Sequence, residues 1–397
     1  MKKIIVYSIL FVLALSIVSA ATDIEPIKSR SKASASISPL NSDNQLETKT
    51  KLANSKNTNV KNQKRIILDS IDQDQIQNLQ DQGCTIRHKL ESQISFTCPT
   101  AVESNEFKVH EIKKRPKPRD ARVFNILDND ANIQIGANQV HLNNINATGV
   151  NVVILDTGVD YFHTELFDSV LGMVDFVNQD FLAEDNNGHG THVAGIITAN
   201  GAFKNIAGSN DATGVAPGAG IYMLKVCNGN GACFEDDILA ALDFAINYIT
   251  DAKVLSMSLG GGNFQSTCDD DPVAAKVNDV YDAGYTVVVA SGNDGKDVSS
   301  PACASKAIAV GAVDKKNEIP YWSNRGSQLD LVAPGVSILS TFSCIPAGDC
   351  DFDWYAHSSG TSMAAPYVAG SAALLYQTLP AATQDDVKNA LLDTATD

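Results

Sequence analysis

Short, wholly apolar runs that recur from residue 150 onwards constrain the fold of this 397-residue chain more than any other feature. Val152-Val153-Ile154-Leu155 and Val287-Val288-Val289-Ala290 are the clearest of them. A strand with one face in water alternates polar and apolar residues. A strand apolar at every position has both faces covered, as in a parallel sheet lying between helices. Residues 150–155, 221–226, 254–259, 286–290, 307–313 and 331–333 are predicted as strands. Residues 191–199, 235–249, 272–283 and 363–379 are predicted as helices, with Pro366 tolerated inside the first turn of the last. The alternation implies an α/β fold over residues 132–397, a mostly parallel sheet with helices on both faces.

Sheets of this kind gather their sites at the carboxyl ends of the strands, and polar residues stand there. Asp156-Thr157-Gly158 closes the first run and Ser291-Gly292-Asn293 the fourth. Asn187-Gly188-His189-Gly190-Thr191-His192 is a glycine-rich turn opening into an apolar helix. His357-Ser358-Ser359-Gly360-Thr361-Ser362-Met363-Ala364-Ala365-Pro366 sets a serine at the mouth of a small-residue helix. Its backbone N–H there faces the end where anionic oxygen is stabilised. Asp, His, Ser is one of the chain orders of the acyl-transfer triad. A serine hydroxyl becomes a nucleophile when a base of near-neutral pKa takes its proton and a buried carboxylate fixes that base's tautomer. Each residue also has a plain reading: a turn aspartate, a polar helix end, an Asn-Asp-Gly turn and an N-cap serine. Their coincidence in this order favours chemistry.

With these segments assembled, the chain resembles the subtilisin-like serine protease family over roughly residues 130 to 397. DTG at Asp156, HGTHVAG at His192, SGN at Asn293 and GTSMAAP at Ser362 carry the resemblance. It implies Ser362 as nucleophile, His192 as general base and acid, Asp156 as orienting carboxylate and Asn293 as oxyanion donor. His189 is then read as part of the turn preceding the base. The two histidines are three residues apart with no HExxH glutamate, so they are not read as a zinc pair. By the same resemblance a peptide substrate adds as a strand beside Ser258, Leu259 and Gly260, and Ser299, Ser300 and Ala302 suggest a roomy pocket without a fixed charge. The chemistry requires no cofactor. Structural calcium is an open expectation: Glu165 replaces the aspartate that relatives use in a His-Pro-Asp-Leu run, and Asn210 with Asp211 either ligate or turn.

The front of the chain reads differently. Residues 1–20 resemble a secretory signal peptide, Met1-Lys2-Lys3 leading an apolar stretch that ends in Ser19-Ala20. Residues 21–63 have the composition of a disordered leader. Residues 64–112 read as a small α+β domain resembling the family's inhibitory propeptide. Residues 113–131 form a basic, proline-broken linker holding the maturation site, cut by the enzyme itself or by another protease. Up to residue 122 there are twenty basic and thirteen acidic side chains; beyond it, ten and thirty-three. Opposite charges suit an intramolecular inhibitor complex, and the acidic body argues against nucleic acid. The expected product is extracellular, free of the membrane after signal cleavage, and acts on proteins or peptides. Eight cysteines in an exported chain imply disulfides, with Cys84–Cys98, Cys227–Cys233, Cys268–Cys303 and Cys344–Cys350 as the expected pairs. Asn146-Ala147-Thr148 is a glycosylation sequon.

Overall fold

A computed structural model of the chain describes residues 63–68, 73–89, 94–99, 130–201, 212–347 and 354–396. The expected signal peptide, the leader up to residue 62, the strand expected at 107–112 and most of the maturation linker lie outside these. Two compact units emerge, divided near residue 112. In the smaller, Gln63–Leu68 (β1), Thr85–Lys89 (β2) and Ile94–Pro99 (β3) form an antiparallel sheet in the order β1-β3-β2. Gln73–Asp81 (α1) buries Ile76 and Leu79. This is the α+β pattern expected there.

The larger unit opens with two short helices, Asp130–Gln134 (α2) and Ala137–His141 (α3). Its strands are Asn151–Asp156 (β4), Val170–Asp175 (β5), Gly220–Lys225 (β6), Ala252–Met257 (β7), Gly261–Phe264 (β8), Thr286–Ala290 (β9), Val298–Ser300 (β10), Ile308–Val313 (β11) and Leu331–Pro334 (β12). Seven of them form one parallel sheet in the order β12-β11-β9-β7-β4-β6-β5. The main helices are His189–Thr198 (α4), Glu235–Tyr248 (α5), Pro272–Asp282 (α6), Thr361–Thr378 (α7) and Gln384–Thr394 (α8). The sheet has two apolar faces. Val152, Ile154, Val288 and Val310 join one core with residues of α4 and α7. Val153, Leu155, Val287 and Val289 are equally buried on the alternate face.

Several elements differ from expectation, among them the short helices α2 and α3 and the strands β8 and β10, none of which was expected. Val170–Asp175 is a strand although it lacks a continuous apolar run: it lies at the sheet edge, and Leu171 is half exposed. Ile338–Phe342 (β13) and Trp354–Ser358 (β14) pair antiparallel outside the main sheet. Helix α4 begins at His189, two residues before the expected start.

The chain leaves β4, fills the edge with β5, returns to β6 beside β4, then crosses to β7 on the other side. That reversal opens a crevice at the carboxyl end of β4, where Asp156 stands opposite Lys225.

Two expected disulfides are present, Cys227–Cys233 and Cys268–Cys303. Cys84 and Cys344 are disulfide-bonded too, but the side chains of Cys98 and Cys350 lie outside those described. The Cys268–Cys303 bridge spans 35 residues and Cys227–Cys233 spans 6. By loop-closure entropy, removing the longer with paired alanines should lower unfolding stability by about 4 kcal/mol, and removing the shorter by about 2. Denaturant unfolding of both double variants measures the order, and the reverse order would contradict it.

Candidate active site

Asp156 ends β4 with its side chain 2% exposed. Its Oδ1 accepts the Thr157 N–H at 2.7 Å and faces Nδ1 of His189, also at 2.7 Å. No donor reaches its Oδ2 among the described residues. A buried carboxylate with an unsatisfied oxygen favours a cation beside it, and His189 is the group placed to become one. Its side chain is 18% exposed, so one edge of the ring meets the crevice. Burial opposes the imidazolium, but the Asp156 carboxylate, by charge and hydrogen bond, and the charge of Asp185 outweigh it. The His189 pKa is therefore raised above the ordinary histidine value.

Two features place His189 there. A side chain at position 190 would collide with the carbonyl oxygen of Gly158, so only glycine lets the first turn of α4 approach the Asp156-Thr157-Gly158 turn this closely. Asp185 then ties the two together. Fully buried, it accepts hydrogen bonds from Thr157 Oγ1, the backbone N–H groups of Asn187, Gly188 and Thr191, and Thr191 Oγ1, at 2.6–3.0 Å. Gly188, the N-cap, has no side chain to cap the helix, and Asp185 supplies the missing acceptor.

His192, expected to be the base, does not meet Asp156. It lies one turn further into α4 and is 1% exposed. Its Nε2 contacts the carbonyls of Ile338 at 3.1 Å and Ala356 at 2.9 Å, one on each strand of the β13–β14 hairpin. Nδ1 is buried with no partner among the described residues. Burial first, and then the neighbouring histidine charges, push its pKa down to about 4 against the two carbonyls. The expectation is therefore corrected: the histidine paired with the carboxylate is His189. In HGTHVAG the second histidine falls where the helix is covered on all sides, whereas the first still borders the crevice. Position in the first turn was the signal available in the sequence.

Ser362 is the second residue of α7. Its Oγ donates to the Ser258 carbonyl at 3.2 Å, and Ser258 Oγ donates to the Ser362 carbonyl at 2.8 Å. The reason lies one turn on. Helix α7 starts at Thr361, so Pro366 sits beyond the first turn, not within it. Having no N–H, it cannot bond the carbonyl four residues earlier. That carbonyl belongs to Ser362, and Ser258 occupies it. Asn293 follows β9; its Oδ1 accepts from Thr361 N–H at 2.8 Å and Thr361 Oγ1 at 3.0 Å, which leaves Nδ2 as a donor. A Cβ on Gly360 would stand 3.4 Å from Asn293 Nδ2 and 3.6 Å from the Ser362 nitrogen. Two donors thus flank one point at the head of α7.

Beside this point, Ser258 and Leu259 are buried, and a Cβ on Gly260 would stand 3.3 Å from the Ser299 Cβ. Ser299, Ser300 and Ala302 are buried opposite. Ser300 Oγ donates to Asp271 Oδ1 at 2.6 Å, which puts a carboxylate behind this wall. Glu165 is buried, Asn210 and Asp211 lie outside the described residues, and among the described residues no cluster of three His, Cys, Asp or Glu could hold a metal.

Comparison with known proteins gives the family. The family model described as the subtilase family matches residues 147–397. The chain belongs to the subtilase family. Subtilisin DY of Bacillus licheniformis is 36% identical over 267 residues, covering 66% of this chain and 89% of the relative. Subtilisin Savinase of Lederbergia lenta is 37% identical over 264 residues, with the same two shares. A solved cold adapted subtilisin-like serine proteinase superposes with a TM-score of 0.53 at 31% identity, covering 62% of this chain and 81% of that one. This subtilase is accordingly a serine endopeptidase.

Neutral His192 makes subtilase stability pH-dependent. An unfolded histidine takes up a proton near its ordinary value of 6.5, while the folded one resists it down to about 4. Stability should fall as pH drops through that interval, because the unfolded state then binds more protons. In a Ser362→Ala background, thermal unfolding from pH 7 to 4 should lose part of its acid slope in His192→Gln. An unchanged slope would rule this out.

Proposed function

We propose that this subtilase is a secreted endopeptidase made as a zymogen, with Ser362 as nucleophile, His189 as base and acid, Asp156 orienting it, and Asn293 with the Ser362 N–H as oxyanion donors. The 2.7 Å pairing of Asp156 with a partly exposed His189 carries this reading. Ser362 Oγ attacks the scissile carbonyl carbon, and its proton passes to His189 Nε2. The carbonyl oxygen becomes an anion between the two donors flanking Gly360. The tetrahedral centre collapses, the C–N bond breaks, and the leaving amine takes the proton from His189. Water then hydrolyses the acyl-enzyme with the same base.

Substrates are proteins or peptides, added in extended form beside Ser258, Leu259 and Gly260. Backbone bonds give affinity and the wall at Ser299 sorts side chains. The unit at 64–112 is read as an inhibitor in cis, released by cleavage between 113 and 131. Its α+β architecture ahead of the catalytic unit in the sequence, followed by the basic linker Lys113-Lys114-Arg115, supports that reading. The apolar leader supports export. Among the described residues no helix is long and apolar enough to cross a membrane.

A fluorophosphonate probe should label the mature protein, and Ser362→Ala should abolish labelling; an unlabelled wild type would end the enzyme reading. With a chromogenic peptide, His189→Ala should lower kcat on the order of 10⁶, the loss known for subtilisin itself when its triad histidine is removed. His192→Ala should retain far more activity.

The pH profile supplies a second check. Catalysis needs neutral His189, whose pKa is raised, so kcat/KM should rise with pH along a limb above 6.5. Asp185→Asn removes one of the two charges raising it and, keeping one oxygen in the Oδ1 place for Thr157, Asn187 and Gly188, loses the acceptor for the Thr191 N–H. The limb should move to lower pH, with kcat falling about 10- to 100-fold. A limb that stays in place would show that Asp185 acts through stability alone.

A further inference from the structure

Asn324 follows β11, outside every motif that the sequence singles out, and is fully buried. Among the described residues, its hydrogen bonds all run to one segment, residues 291–299, which leads from the end of β9 into β10. Its N–H donates to the Gly292 carbonyl at 3.0 Å, and its Oδ1 accepts the Asp294 N–H at 3.0 Å. Both peptide groups flanking Asn293 are thereby held by one residue. Oδ1 also accepts from Lys296 N–H at 3.2 Å. Nδ2 donates to the Asp297 carbonyl at 2.8 Å and to Ser299 Oγ at 3.3 Å, and Ser291 Oγ reaches the Asn324 carbonyl at 3.4 Å.

The loop is also tied by Gly292 N–H to Thr361 Oγ1, Gly295 N–H to the Trp322 carbonyl and Arg325 N–H to the Lys296 carbonyl, but among the described residues Asn324 alone holds both peptide groups of Asn293. Gly292 has φ of +110°, and the space where a side chain would stand is filled by the Asn324 amide and Ser299 Oγ. The amide cannot usefully flip, because its oxygen faces two N–H groups and its nitrogen faces a carbonyl and a hydroxyl. Thr361 fixes the side chain of Asn293 from α7; Asn324 fixes its backbone.

We infer that Asn324 is a positioning residue for catalysis, holding the oxyanion donor Asn293 and the Ser299 wall as one unit. The inference rests on the oxyanion reading of Asn293 given above. Its consequence is that an amide with no access to substrate controls turnover through the 291–299 loop. A structural asparagine would affect unfolding alone; a positioning one acts on kcat and acts through Asn293.

A double-mutant cycle on the full-length, self-matured or protease-matured enzyme separates these roles. Asn324→Ala should lower kcat roughly 10- to 100-fold with KM within about twofold. In an Asn293→Ala background the further loss should stay below about threefold, because the donor being positioned is already gone. Thermal melts report whether each variant is folded, and Asn324→Ser, which keeps both backbone bonds and a hydroxyl, serves if the alanine variant does not fold. Equal losses in both backgrounds, a change confined to KM or to melting temperature, or failure of both Asn324 variants to fold would overturn the inference. If Asn293→Ala alone leaves kcat unchanged, the oxyanion reading falls and this inference with it. Additive losses defeat this inference only.

Discussion

The hydrogen bond between Asp156 and His189 is the contact around which the catalytic unit is arranged. It joins the end of a central strand to the first residue of a helix, two elements that must meet almost backbone to backbone. Glycine at 190 permits the approach, and Asp185 gathers the turn and the helix start on one buried carboxylate. Lys225, paired in register with Asp156, turns its ammonium to the Glu184 carbonyl and Asn186 Oδ1 and so steadies the segment leading into that helix. The polar groups here are buried yet nearly all are paired, the condition under which such a network rigidifies instead of destabilising.

The nucleophile's side of the crevice is organised by a missing donor. Pro366 removes one helical hydrogen bond, and the carbonyl thus freed is the one that Ser258 holds. The segment after β7 and the head of α7 are locked by two bonds in opposite directions. The strand order brings the two halves together: β4, β7 and β9 are neighbours, and their carboxyl ends carry Asp156, Ser258 and Asn293.

Much of this was legible in the sequence. Runs such as Val287 to Ala290 announce strands covered on both faces, and these lie where the periodicity put them. Val170–Asp175 was missed because an edge strand needs only one covered side and tolerates Gly172 and an exposed Leu171. The β13–β14 hairpin was missed because its residues alternate weakly and residues 343–353 separate its two strands, too many for a tight-turn signal. The candidate site residues were singled out by motif, but the choice between two histidines three positions apart is a question of depth. Spacing alone does not encode depth; the helix start does, and it lies at His189. Asp185 and Asn324 carry no motif, since each acts by bonding backbone groups of residues remote in the chain.

Helix α7 carries Ser362 as its second residue and runs on through the interior, its residues from Met363 to Tyr376 almost wholly covered. At Gly370 a side chain would press into Val215, so the rod has no room to slide. Reactivity and structural integrity therefore share one axis. On the reading proposed above, a substitution at Val368 or Leu374, buried in the same helix, would reach the serine hydroxyl through the packing of that rod.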